Sequence, residues 1–300
     1  MPSAFINTNV NALRALKTLR LNTQRTNLAA GQIASGYKVA RSSDDASAYS
    51  ISQRMANEIQ SSTRAIQNVQ DGTSMLDVTE GALSTITEGL QRVRELAVQM
   101  ASDSNSAQQR GVLAQEVRSI IEDIDRRTAE AQFNGVKLLD GSTTEARIQV
   151  GVGSDTASNT IDIAASFANS SGQALRLYGT AYTTPVRWSA LTLDDIFNNG
   201  VSQIDSSEKA LLFIQDTDNA IKQLNAQRAT VGAFSNQLQR AGDYLELHVN
   251  NLSGSKSRLV DTDVAKASAE YTQAQVLQNA ATSILSQANV QNENVLKLLQ

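Results

Sequence analysis

The chain has 300 residues, 41% hydrophobic but only 4% aromatic, with no cysteine and a formal net charge of −4. Those figures exclude disulfides, thiolate nucleophiles and cysteine-held metals outright, and the acidic balance argues against nucleic acid as a partner. A core so poor in aromatic area must be built from many small contacts along long elements.

The only prolines are Pro2 and Pro185, so residues 3–184 lack the strongest helix breaker. Residues 4–33 place Ile6, Val10, Leu13, Leu16, Leu21 and Leu28 close to helical spacing, and Gly36 supplies the stop. This first helix is basic: residues 1–43 hold Arg14, Lys17, Arg20, Arg25, Lys38 and Arg41, and the first acid is Asp44. Asn7, Asn9, Asn11 and Arg14 interrupt the place an apolar leader core would occupy, so an uncleaved N-terminus is expected. No run approaches the ~18 apolar residues of a membrane span. The basic helix suits a crowded assembly better than a membrane surface or RNA, since only Phe5 adds an aromatic to its stripe.

Ser43 or Asp44 can cap a second helix, over about 45–100, with Ile59, Ile66, Val69, Leu76, Leu83, Leu90 and Met100 on its apolar side. The polar stretch "ASDSNSAQQR" turns the chain into a third helix carrying Leu113, Val117, Ile120 and Ile124. Residues 133–200 differ in kind, being rich in Gly, Ser and Thr. "ARIQVGVG" and "NTIDIAA" alternate as half-buried strands and predict one β-hairpin, followed by a short irregular insertion.

The most regular segment comes late. Leu224, Val231, Leu238, Leu245 and Leu252 recur every seven residues, with Ile214, Ile221 and Val249 in partner positions and Arg228, Ser235 and Gly242 interrupting them. A helix over 209–253 would be about 65–70 Å long at ~1.5 Å per residue. A globule of this length would be about 50 Å across, so an elongated rod is expected. A last helix, about 262–298, carries Ala274, Leu277, Ala281, Ile284, Ala288, Val295 and Leu298 as a stripe broken by Gln291. The fold class is therefore mainly α: a rod of long antiparallel helices with a terminal coiled coil, a small β-hairpin region and an irregular insertion. The apolar stripe of the last helix is expected to lie against that of the first, and other copies to cover what remains.

Catalytic chemistry lacks its parts. The single histidine, His248, cannot form a two-histidine zinc site. "GVGSDT" offers two glycines in a hairpin turn, not a dinucleotide fingerprint, and Asp44/Asp45 and Asp194/Asp195 sit where helix starts favour acids. No enzyme activity, cofactor or metal site is expected. Trp188, Tyr178 and Tyr182 could stack on a sugar, or form a small local core.

Several motifs resemble bacterial flagellin. "INTNVNALRALKTL" is similar to that family's N-terminal helix, and "GQIASGYKVARSSDDASAYSISQRM" to its loop and following helix. "LQRVRELAVQ", "QFNGVKLLDG" and "QAQVLQNAATSILSQANVQNENVLKLL" follow in family order. The resemblance implies a filament subunit for swimming motility, a homopolymer exported through the flagellar type III channel without a cleaved signal peptide and placed outside the cell. It implies a filament-core domain from 1–42 with 258–300, an outer-tube helical bundle from 43–165 with 193–257, and an exposed insertion at 166–192. Ile6, Val10, Leu13, Leu16, Leu277, Ile284, Val295 and Leu298 would be the assembly core, and Leu224, Val231, Leu238, Leu245 and Leu252 the rod packing. Export chaperone, cap and junction proteins would be partners, with no nucleic acid and no membrane insertion. Arg92, Leu96 and Glu116 match positions that a flagellin-sensing Toll-like receptor contacts, and Leu96 and Arg92 equally suit subunit packing. A hook–filament junction protein and a cell-surface binding protein that reuses the rod stay open as alternatives.

Overall fold

The computed structural model describes residues 9–143, 145–167, 170 and 207–297. Among these, helices α1 (Val10–Ser35), α2 (Ala46–Ala101) and α3 (Ala107–Glu130) are followed by strands β1 (Gln132–Phe133), β2 (Val136–Lys137) and β3 (Arg147–Gln149). A short helix, α4 (Thr156–Asn159), leads into β4 (Thr160–Asp162) and a single 3-10 turn, and two long helices, α5 (Ser207–Val260) and α6 (Val264–Lys297), complete the order. The mainly helical class agrees with the sequence. Most of the expected insertion, with Trp188, Tyr178 and Tyr182, lies outside the described residues, as do Asp194 and Asp195 of the expected helix start beyond it.

The chain forms two compact units, residues 61–248 and residues 1–60 with 249–300. The larger unit is ordered by heptads. On α2, Val69, Leu76, Leu83, Leu90 and Ala97 form one buried row, and Ala65, Thr79, Ile86, Val93 and Met100 the other. Gly72 completes the second row: a Cβ there would stand 3.0 Å from Ile148 Cγ1 and 3.2 Å from Leu238 Cδ1, so glycine lets the β3 strand and α5 close on the helix. On α5, Leu224, Val231, Leu238 and Leu245 are buried, the row the sequence predicts. Leu252, the fifth of that row, belongs to the smaller unit and is half-buried.

The second row of α5 departs from expectation. It runs through Phe213, Ala220 and Gln227, one residue before Ile214, Ile221 and Arg228. A heptad row can be followed at three or at four residues, and the neighbours decide which. Here the segment after β4 holds Gln227 through Ser166 and Ser170, while Ile214 and Ile221 remain only partly buried against the core. Arg228 is no gap in the seam. Its Nε and Nη2 donate to Glu80 Oε1 on α2, at 2.8 and 2.6 Å.

Two hairpins form where one was expected. Arg147–Gln149 pairs with Thr160–Asp162, within the predicted strands. The other is Gln132–Phe133 against Val136–Lys137, turned by Asn134 and Gly135 at φ 49° and 82°. Both turn residues need positive φ in such a two-residue loop, which explains the Asn-Gly pair. Beyond β4, Ser170 Oγ donates to Gln227 Oε1 at 2.9 Å, Gln227 Nε2 donates to the Ser166 carbonyl at 3.3 Å, and the Ser170 N–H donates to the Leu139 carbonyl at 3.0 Å.

The turn between α2 and α3 has a buried cation as its keystone. Ser106 and Gln109 make a capping box, and the Arg110 side chain turns back beneath it. Its Nε donates to the Met100 carbonyl at 2.9 Å and its Nη2 to the Ser102 carbonyl at 3.0 Å, satisfying the open end of α2. Replacing Arg110 with alanine strands those carbonyls, and hydrogen bonds from a charged donor are each worth about 1.5–3 kcal/mol. We expect Arg110→Ala to lower the urea midpoint of the larger unit by an amount equivalent to about 2 kcal/mol or more, with Arg110→Lys recovering part of it.

Candidate assembly surface

The smaller unit is dominated by α1 and α6, which lie along each other. Asn9 begins α1, accepting from the Ala12 N–H through its side chain, and Gly36 ends it at φ 74°. The pair is antiparallel. At one end Asn9 Nδ2 donates to the Ala288 carbonyl at 2.9 Å. At the other the Thr262 N–H donates to the Gly36 carbonyl at 2.9 Å and the Lys38 N–H to the Val260 carbonyl at 2.7 Å. Val39, Ala48 and Val260 make a small core beside that junction.

The seam between the two helices is made of small residues. On α1 the buried positions are Ala15, Asn22 and Ala29, and on α6 Ala267, Ala274, Ala281 and Ala288, each seven residues from the last. Second rows are half-buried: Ala12, Leu19, Thr26 and Ile33 on one helix, Tyr271, Gln278 and Leu285 on the other. Alanine at every seventh position lets the backbones approach closely, at the cost of little apolar area per contact.

This overturns the expectation that the large aliphatic stripes meet. Leu277 and Ile284 are 40% and 60% exposed, because the second row of α6 falls one residue later than predicted. Val10, Leu13 and Leu16 are likewise 43%, 57% and 45% exposed, on the side of α1 away from its alanines. Leu21, Leu28, Val276 and Val290 join them at the surface. Of the remaining core candidates, Ile6 and Leu298 lie outside the described residues, and Val295 is described only as part of α6. Each exposed leucine, once fully covered, is worth about 1.5–3 kcal/mol.

The other candidates are distributed over both units. Arg92 on α2 donates to Glu116 on α3 at 2.8 Å and to Glu95 at 3.1 Å, all three being exposed. The hydrogen bond to Glu116, followed by that to Glu95, raises the guanidinium pKa above its ordinary value. Leu96 is elsewhere: at 1% exposure it belongs to the core. His248 stacks on Tyr244, ring centroids 6.1 Å apart and nearly parallel. Asp45 accepts from the Ala48 N–H and so caps α2, in place of the Ser43 or Asp44 expected, while Asp44 accepts from the Ala40 and Arg41 N–H groups of the preceding loop. "GVGSDT" lies between β3 and α4, where Asp155 caps the short helix. No group of three or more His, Cys, Asp or Glu among the described residues could hold a metal ion.

Long heptad helices that keep small residues inside and turn large aliphatics outward define a structural protein of an assembly. Relatives narrow the class. Residues 6–144 match the bacterial flagellin N-terminal helical region and residues 214–299 the bacterial flagellin C-terminal helical region. The chain is 34% identical over 296 residues to the flagellar filament 33 kDa core protein of Treponema phagedenis, covering 99% of this chain and all of that one. It is 32% identical over 298 residues to a flagellin of Halalkalibacterium halodurans, again over 99% and 100%. A crystal structure of Bacillus cereus flagellin aligns with 60% of this chain and 88% of its own, at 24% identity and a TM-score of 0.44. The chain belongs to the bacterial flagellin family, the structural proteins of the flagellar filament.

A larger side chain in the alanine seam tests the geometry. Ala281→Leu overfills the contact between α1 and α6 at a cost of about 1–3 kcal/mol. We expect it to reduce helicity in far-ultraviolet circular dichroism and to stop sedimentable fibres forming, whereas Ala281→Ser keeps both.

Proposed function

We propose that this chain polymerises through its terminal helices into the tube of a swimming filament, with α1 and α6 as the inner, filament-core domain. The observation that carries this is the outward placement of Val10, Leu13, Leu16, Leu277 and Ile284 beside a seam that is already closed. Contiguous exposed apolar faces mark interaction surfaces, and identical neighbours supply matching faces in a helical array. Residues 1–42 with 258–300 form the core domain, 43–165 with 193–257 the outer tube, and 166–192 the exposed insertion. Export is by the flagellar type III channel without cleavage of a leader, in company with an export chaperone and with cap and junction proteins. The family resemblance supports these finer points.

The rod rows and the core faces have different fates under mutation. Leu13→Ser with Ile284→Ser removes two exposed aliphatics and should leave monomer stability within about 0.5 kcal/mol. The concentration needed for fibres should rise at least tenfold, since about 1.4 kcal/mol is a factor of ten. Sedimentation after seeding measures it, and unchanged assembly would remove the basis of the proposal.

The exposed Arg92–Glu116 pair also supports recognition by a host Toll-like receptor. Leu96 then contributes by holding α2 in place rather than by touching the receptor. Arg92→Ala should reduce receptor activation by the monomer about tenfold, the scale of one lost charge-assisted hydrogen bond. The expected result for Leu96→Ala is a lower melting temperature.

A further inference from the structure

Assembly leaves one property of α1 unused, its charge. Arg14, Lys17, Arg20 and Arg25 are all exposed. None of them joins a salt bridge among the described residues. No acid precedes Asp44 in the chain. Across residues 9–35 and 264–291 the cations are these four and Lys266, and the only acid is Glu270. A second copy of the same helix pair therefore covers leucines well and cations poorly, because it brings like charge to like charge.

The four cations are interspersed with Leu13, Leu16, Leu21 and Leu28, and all eight stand outside the row of Ala15, Asn22 and Ala29. Such a helix suits an interface whose outer layer is anionic and whose inner layer is apolar. Lysine and arginine stems reach up to phosphates while leucines settle at the acyl boundary. Residues 9–35 contain no Trp or Phe to anchor them by apolar area alone, so the attraction has to come from charge. No helix among the described residues is long and apolar enough to cross a membrane, which leaves the in-plane mode.

We propose that the unassembled chain docks α1 flat on an anionic phospholipid surface, with Arg14, Lys17, Arg20 and Arg25 meeting the lipid phosphates. The face is then released from the bilayer when other molecules cover it. This rests on α1 alone and holds whether or not the chain builds filaments.

The full-length monomer, cleared of aggregates, is mixed with vesicles of phosphatidylcholine alone or of phosphatidylcholine with phosphatidylglycerol at low ionic strength, and pelleted. Binding is expected only with phosphatidylglycerol, and should fall as salt shortens the screening length. Each cation near such a surface contributes about 1 kcal/mol, so each change to glutamine should weaken partitioning about fivefold. The Arg14→Gln, Lys17→Gln, Arg20→Gln, Arg25→Gln variant, checked for parental helicity by circular dichroism, should lose binding altogether. Loss of vesicle binding by this variant, with fibre formation kept or lost, supports the proposal. If the parent ignores phosphatidylglycerol, binds phosphatidylcholine equally, or is matched by the variant, the proposal is overturned. A variant that keeps vesicle binding but no longer forms fibres overturns it too, and assigns the cations to a second copy.

Discussion

The close approach of two backbones at alanine is the constraint on which the smaller unit depends. With Ala15, Asn22 and Ala29 on α1 and Ala267, Ala274, Ala281 and Ala288 on α6, the fully buried row between the helices is made almost entirely of alanine. So narrow a contact fully buries small residues, half-buries Leu19, Ile33 and Leu285 beside them, and leaves Leu13, Leu16, Leu277 and Ile284 exposed. The exposed leucines are thus a direct consequence of how the pair closes. Had Leu277 and Ile284 filled the seam beside the alanines, Gln278 and Leu285 would face outward in their place. The sequence contains both outcomes, and the anchoring hydrogen bonds at Asn9 and at the Gly36–Thr262 junction accompany the one adopted.

The larger unit solves the opposite problem with the same repeat. There the rows of α2 and α5 carry Leu, Ile and Val inward, with α3 and the hairpins as further cover. Several polar groups inside are satisfied locally: Thr79 and Thr217 donate to carbonyls one turn back, and Arg228 pairs with Glu80 Oε1, whereas the hydroxyls of Ser62 and Ser166 and Glu80 Oε2 are buried without a partner among the described residues. Arg110 caps the end of α2 from beneath. Such a core tolerates few changes of volume, and Gly72 marks a place where even one methyl group has little room. Recognition of Arg92 and Glu116 by another protein would act on the outside of this rigid frame.

Much of this was legible in the residues. Five long helices, the break at "ASDSNSAQQR", the β3–β4 hairpin and the row from Leu224 to Leu245 follow from period and turn chemistry. What could not be read was phase. A row repeating every seven residues has two candidate companions, three or four positions on, and sequence alone weighs them by hydrophobicity. That rule chose Leu277 and Ile284 over Gln278 and Leu285, and Ile214 and Ile221 over Phe213 and Ala220, and in both helices it was off by one. Leu96 stands among the receptor-contact candidates by resemblance alone, and in the fold it is core. The Asn-Gly turn at 134–135 was a signal available and unused. Arg110 gave no signal, because its role depends on carbonyls that only the folded turn brings together.

Gln227 has a wider consequence. With Ser166 and Ser170 it moors the chain on the near side of residues 171–206, and Ser207, donating to the Ala101 carbonyl, moors it on the far side. The bundle is therefore spliced shut by its own groups at both exits. The two attachments are independent of each other, so the bundle holds the chain on either side of that stretch with groups of its own.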